Sequence, residues 1–224
     1  MRKVLEIGGF ISAAILIAFG ITAIVMGVNG RNTVSTSLKN QYIVGSEDMT
    51  PAAIKAEATK SHVYGAVKQW PTKSVANLSI NSGSRARTFA EYMNIHALEA
   101  TGGYTYSQMG IYTAKPGTPK AQLMPGGGTN STDFALLDPK TQQPVQNGPR
   151  NVWVTETALT SALNMSYMAD QLGLFGIVVG VALLLTGIGL AILAVGGTLA
   201  GVAPAFKLFG SRSPKAAGTT IPVA

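Results

Sequence analysis

The sequence predicts a membrane protein in which two transmembrane α-helices bracket a small, mainly helical α+β extracytoplasmic domain. Three observations lead there. Hydrophobic residues make up 46% of the 224-residue chain and charged residues only 12%, against about 25% charged in ordinary soluble domains. The apolar residues gather in two blocks, Val4 to Val28 and Leu172 to Ala203, and leave a polar stretch between them. Basic residues flank the blocks mainly at the chain ends, as Arg2, Lys3, Lys207, Arg212 and Lys215.

The first block, VLEIGGFISAAILIAFGITAIVMGV, gives about 37 Å of helix at 1.5 Å per residue, enough to cross a hydrocarbon core of about 30 Å. It is longer than the apolar region of a signal peptide and no strong small-x-small cleavage site follows it, so it reads as an uncleaved anchor. The second block exceeds what a bilayer needs and must tilt or protrude. Its embedded part is expected at 174–195, weakening toward Gly196, Gly197 and Pro204. The positive-inside rule counts Lys and Arg close to the spans, and five lie in the short tails. The loop offers only Arg31 and Lys39 near the first span and none between Asn151 and Leu172. Both termini are therefore expected in the cytoplasm of a multi-pass plasma-membrane protein, with the central domain outside. The organisation predicted is a tail and first span at 1–28, the domain at 29–154, a long helix continuing into the second span at 155–203, and a cytoplasmic tail at 204–224.

Residues 29–50 are polar and rich in turn formers and read as a juxtamembrane linker. Thr50 then offers an N-cap and Pro51 suits the first helical position, so PAAIKAEATK predicts a short helix. In SRARTFAEYMNIHALEATGG, residues 84–103, Phe89, Met93, His96 and Ala100 share one stripe, Ile95 and Leu98 widen it, and Gly102-Gly103 ends it. This is the signature of an amphipathic helix. Between Lys115 and Gly148 prolines and a triple glycine dominate, with short strands expected at 110–114 and 134–137, a hairpin-like turn at LDPKTQQPV and a further strand at 151–154. The segment from Thr155 has no breaker before Leu172 and predicts one helix running into the second span.

Glycine and alanine recur at four-residue spacing within the blocks. Gly176 with Gly180 and Gly197 with Gly201 are the expected helix-packing residues, along with Ala14–Ala18 and Ala23–Gly27, because small residues let backbones approach where no hydrophobic effect acts between helices. Neither span carries a central ionisable residue, which argues against a transporter or proton relay. The expected partners are the bilayer and other membrane-protein subunits. Twelve basic and nine acidic residues lie between the spans without a Lys/Arg run or interleaved aromatics, so nucleic acid is not expected.

No catalytic, cofactor-binding or metal site is predicted. With no cysteine in the chain, thiolate chemistry and disulfides are excluded. His62 and His96 are the only histidines and lack a recognisable ligand spacing. The acids Glu91, Glu99, Asp133, Asp138, Glu156 and Asp170 read as surface charges. The GGGT at 126–129 has no following lysine and reads as a flexible turn. Tyr104, Tyr106 and Tyr112 read as a seal between helix and strands, or else as the lining of a ligand groove.

HALEATGGYTYSQMG, AKPGTPK and NVWVTETALT, together with MRKVLEIGGF and TPAAIKAEA, resemble a family of actinobacterial two-pass membrane proteins labelled as aromatic ring-opening dioxygenase subunits. The resemblance covers nearly the whole chain and implies an actinobacterial cell-membrane protein. Many of its members carry two cysteines at positions corresponding to Lys73 and Thr88, so any disulfide implied by the family is missing here. The residues themselves favour a non-enzymatic accessory or scaffold subunit. A cell-envelope ligand-binding module, or the dioxygenase of the family label, is the alternative.

Overall fold

The computed structural model describes residues 2–195, with side chains from Glu6 onward; Gly197 and Gly201 lie outside that range. Among the described residues there are four α-helices: α1 (Arg2–Lys39), α2 (Pro51–Lys60), α3 (Gly83–Ala100) and α4 (Gly148–Val195). Two of them, α1 and α4, contain segments long and apolar enough to cross a membrane. The chain divides into one unit holding the described residues up to Met26 and from Phe175, and a second spanning Gly27–Leu174.

In the first unit, α1 and α4 run antiparallel and meet through small residues. A Cβ added at Gly180 would lie 2.7 Å from the Gly20 carbonyl oxygen, and one at Gly20 would lie 2.7 Å from the Leu184 backbone nitrogen. A Cβ at Gly187 would stand 3.0 Å from the Ala13 carbonyl oxygen. The buried small residues of this unit recur every seven positions, as Ala13 and Gly20 on one helix and Gly180, Gly187 and Ala194 on the other, and within the second unit Gly27 and Gly173 keep the same register. Seven-residue spacing keeps a seam facing its partner along a helix pair, and glycine at the seam lets the backbones touch. The expected four-residue period does not describe this contact: Ala14 and Ala18 are exposed and Gly176 is half-buried. Thr22 and Thr186 donate to the carbonyls of Ala18 and Ala182, which satisfies each hydroxyl inside an apolar helix.

The second unit corrects the predicted fold class. It contains no sheet and no strand among the described residues, only isolated bridges such as Tyr112 with Thr129, Ala114 with Ala135 and Leu137 with Pro144. The stretch from Tyr104 to Asn147 is cut by prolines and glycines into pieces too short for a ladder to propagate. The strand expected at 151–154 lies within the first two turns of α4. Its β-formers are overridden because helical spacing puts Trp153 in the core, with Leu163 further along the same helix. Pro149 suits that early helix start. The expected linker is likewise helical as far as Lys39: Val34 and Leu38 pack against the core and stabilise a segment of poor intrinsic propensity.

The core centres on α3, where Ala86, Phe89, Tyr92, Ile95 and Leu98 are buried, against Ile54 and Ala58 of α2. This stripe is rotated from the expected one, leaving Met93 and His96 only half-buried. Thr50 caps α2 by accepting from the Ala53 N–H, and Ser82 caps α3 by accepting from the Arg85 N–H. At the far end of α3, Gly103 has φ 84° and donates to the Leu98 carbonyl, a left-handed termination that glycine makes without strain. Between α1 and α4, Arg31 Nε lies 2.9 Å from the Asp170 carboxylate. Gly173 makes room for the arginine stem, since a Cβ there would sit 2.6 Å from Arg31 Cγ.

Candidate functional site

The packing of α2 on α3 brings together four ionisable side chains that are far apart in sequence. Asp48 sits in the turn before α2, fixed by the burial of Met49 and by a Val75 N–H bond to the Met49 carbonyl. Glu57 projects from the second turn of α2, and His96 and Glu99 occupy successive turns of α3. His96 Nε2 lies 3.1 Å from Asp48 Oδ2, and His96 Nδ1 lies 3.2 Å from Glu99 Oε2. One ligand-capable atom from each of Asp48, Glu57 and His96 falls within 4.8 Å of the other two.

Glu99 is more enclosed than His96 or Asp48. Its side chain is 12% exposed, and its second oxygen, Oε1, is buried without a hydrogen-bond partner. Burial raises the Glu99 pKa above the ordinary carboxylate range, and the charges of Glu57 and Asp48 add to that, while His96 opposes it. The cluster thus sets three carboxylates around one imidazole. When Nδ1–H donates to Glu99, a neutral ring turns the Nε2 lone pair toward Asp48. Two acceptors then face each other at 3.1 Å, and a proton or a cation between them is required.

His96 also lines an apolar groove of about 400 Å³ between α3 and α4, formed by Met93, Ala97, Ala100, Val152 and Leu159. A second, polar groove holds Lys68, Arg87, Glu91, Asn94 and Glu156. There the charges mostly answer one another: Arg87 lies 3.7 Å from Glu91, Gln69 donates to Glu91 at 3.3 Å, and Asn94 donates to Glu156 at 3.3 Å.

The other residues weighed in the sequence take separate places. His62 is exposed in the turn after α2 with φ 61° and is not in the cluster. Asp133 is exposed, and Asp138 anchors a turn in which the Thr141 and Lys140 N–H groups hold its carboxyl below the usual range. Asp170 is paired with Arg31. Tyr106 carries the Arg150 guanidinium 3.7 Å from its ring centre, and the Tyr104 carbonyl accepts from Trp153 Nε1, so these two residues tie the loop to the start of α4. The Gly126–Gly128 turn lies over Tyr104 and against Gly110 and Tyr112. Sequence reasoning weighed His96 and Glu99 singly and passed over Asp48 and Glu57. The His-x-x-Glu spacing on one helical turn was the available local signal, whereas the other two residues arrive only through tertiary packing.

The chain thus combines two helices with long apolar segments and a helical unit that carries a histidine-carboxylate cluster at the junction of α2 and α3. No protein-family profile, curated protein or solved structure matches the chain.

Proposed function

We propose that this protein is a two-pass cell-membrane protein, both termini cytoplasmic, that serves as a non-enzymatic accessory or scaffold subunit of a larger membrane assembly. One observation carries the reading: the helices that hold the apolar segments, α1 and α4, also supply Leu38, Trp153 and Leu163 to the core of the Gly27–Leu174 unit. The two helices that carry the apolar segments thus continue in sequence into the core of that unit.

The Gly180 face is occupied within the chain by Gly20 and Ile24. Docking on other subunits therefore falls to the outward faces, where Phe10, Phe19, Phe175 and Leu185 are exposed, and to the external domain. Purification from native membranes in mild detergent should yield a complex larger than the chain with co-migrating membrane proteins; a lone monomer would overturn the reading. In the same cells Ser131→Cys should react with a membrane-impermeant thiol reagent and Ser213→Cys should not. The reverse pattern would overturn the orientation.

A second reading, a cell-envelope ligand-binding module, is supported by the apolar groove along Met93, Ala97, Val152 and Leu159. It shifts the candidate ligand surface from the tyrosines to the seam between α3 and α4.

A further inference from the structure

We propose that Asp48, Glu57 and His96 form a binding site for a divalent first-row transition cation of the Zn²⁺ type, with Glu99 as the carboxylate that orients the histidine. This goes beyond the accessory role and stands independently of it.

The donor set selects the class. A histidine nitrogen with carboxylate oxygens suits zinc and its neighbours, whereas calcium and magnesium sites are built from oxygen alone. The spacing is close to what such a cation needs. Zinc bonds of about 2.0 Å in a tetrahedron place adjacent ligands about 3.3 Å apart, and His96 Nε2 and Asp48 Oδ2 already stand 3.1 Å apart. All three ligand atoms lie within 4.8 Å of one another, so modest rotation of a carboxylate closes the remaining gap. Side-chain exposures of 25% for His96 and 32% for Asp48 leave an entry path from solvent.

The second observation is on the far side of the imidazole. Metal-ligating histidines donate their other ring N–H to a carboxylate, which fixes the tautomer and raises ligand basicity. Glu99 Oε2 stands in that place at 3.2 Å from Nδ1. Its companion Oε1 is buried and unpaired, a costly arrangement for an anion unless a positive charge is close by. A cation on Nε2 supplies that charge through the ring. Three carboxylates against one imidazole give a site whose own charge is negative, as a dication requires.

The test uses the full chain in detergent micelles, stripped with chelator and titrated with ZnCl₂ by calorimetry at neutral pH. One equivalent should bind at micromolar or tighter affinity and raise the melting temperature in a concentration-dependent way. Millimolar Ca²⁺ or Mg²⁺ should not displace it. His96→Ala should abolish binding and Glu57→Gln should weaken it at least tenfold. Glu99→Gln should cost about 10–100-fold, as outer carboxylates do. His62→Ala should bind as the unchanged protein does. Circular dichroism establishes that each variant is folded, and Glu57→Gln on the partly exposed face of α2 provides the test should His96→Ala fail to fold. Absence of zinc binding by the folded unchanged chain, or binding unaltered in folded Glu57→Gln and His96→Ala, would overturn the proposal and leave a proton between His96 and Asp48.

Discussion

Two stretches of the Gly27–Leu174 unit are held by different forces. From Ile43 to Gly103 the chain is organised by buried side chains, with Ile54, Ile80, Tyr92 and Ile95 at 0–1% exposure. From Tyr104 to Asn147 the same core receives only Met109. That second stretch is closed by backbone bonds between short pieces: Tyr112 and Thr129 exchange N–H···O bonds of 3.0 and 2.9 Å, Leu136 donates to the Thr113 carbonyl, and Asn147 to that of Ile111. Its interior groups include Thr129 and Asn147, the latter donating to the Gly110 carbonyl. Apolar burial is non-directional and tolerates some repacking, but a web of backbone bonds depends on steric clearance at particular atoms.

The contrast can be broken most severely at its apolar end. Ile95→Ala leaves a cavity under α3 and should cost about 2–5 kcal/mol, read as loss of amide protection throughout 43–103. A loss below about 1 kcal/mol would show that burial is not what holds this part. Next in size is Gly110→Ala, whose Cβ would collide with the Thr129 backbone nitrogen. Overpacking of this kind costs about 1–3 kcal/mol, and hydrogen exchange should show the loosening confined to 104–147. Equal loosening of α3 would mean that the two parts unfold as one.

The smallest effect tests a polar contact inside the apolar part. Tyr92 donates its hydroxyl to the Lys73 carbonyl at 2.9 Å, and Tyr92→Phe should cost about 1 kcal/mol. Burial, with the charges of Glu91 and Asp48 adding to it, pushes the Tyr92 pKa up to about 12. The raised value means the folded state holds the proton more tightly than the unfolded one. The associated stability is complete below about pH 10, the unfolded value, and is lost as pH rises through about 12. Thermal melts between those values should fall less steeply for Tyr92→Phe than for the unchanged chain.

What the sequence disclosed follows the same division. The apolar blocks, the Thr50-Pro51 start of α2 and the stripe and Gly-Gly ending of α3 are local signals, and each names its element. The helical run from Asn29 to Lys39 was hidden, since its residues are poor helix formers and only packing by Val34 and Leu38 decides it. Val152, Trp153 and Val154 looked like a strand for the complementary reason: their β preference is local, whereas the burial of Trp153 that turns the segment helical is not. The short apolar pieces from Gly110 to Leu137 do pair, yet no more than one bridge at a time. In the apolar helices a four-residue spacing is plentiful in any glycine-rich segment and masked the seven-residue spacing that the packed pair uses. As for the candidate site, His96 and Glu99 were readable as neighbours on a helix, but nothing local connects them to Asp48 and Glu57.

The pairing of Arg31 with Asp170 has a consequence for depth. In a bilayer this clasp acts as a waterline, because neither charge can be drawn into hydrocarbon without several kcal/mol of cost. On α1, Glu6 marks the opposite shore, about 37 Å away along the helix at 1.5 Å per residue. A hydrocarbon slab of about 30 Å fits between them only if the helix leans or the headgroups take up the excess. Membranes of differing thickness should therefore change the lean of α1 rather than its draught, and neutralising the clasp would release the chain to ride deeper.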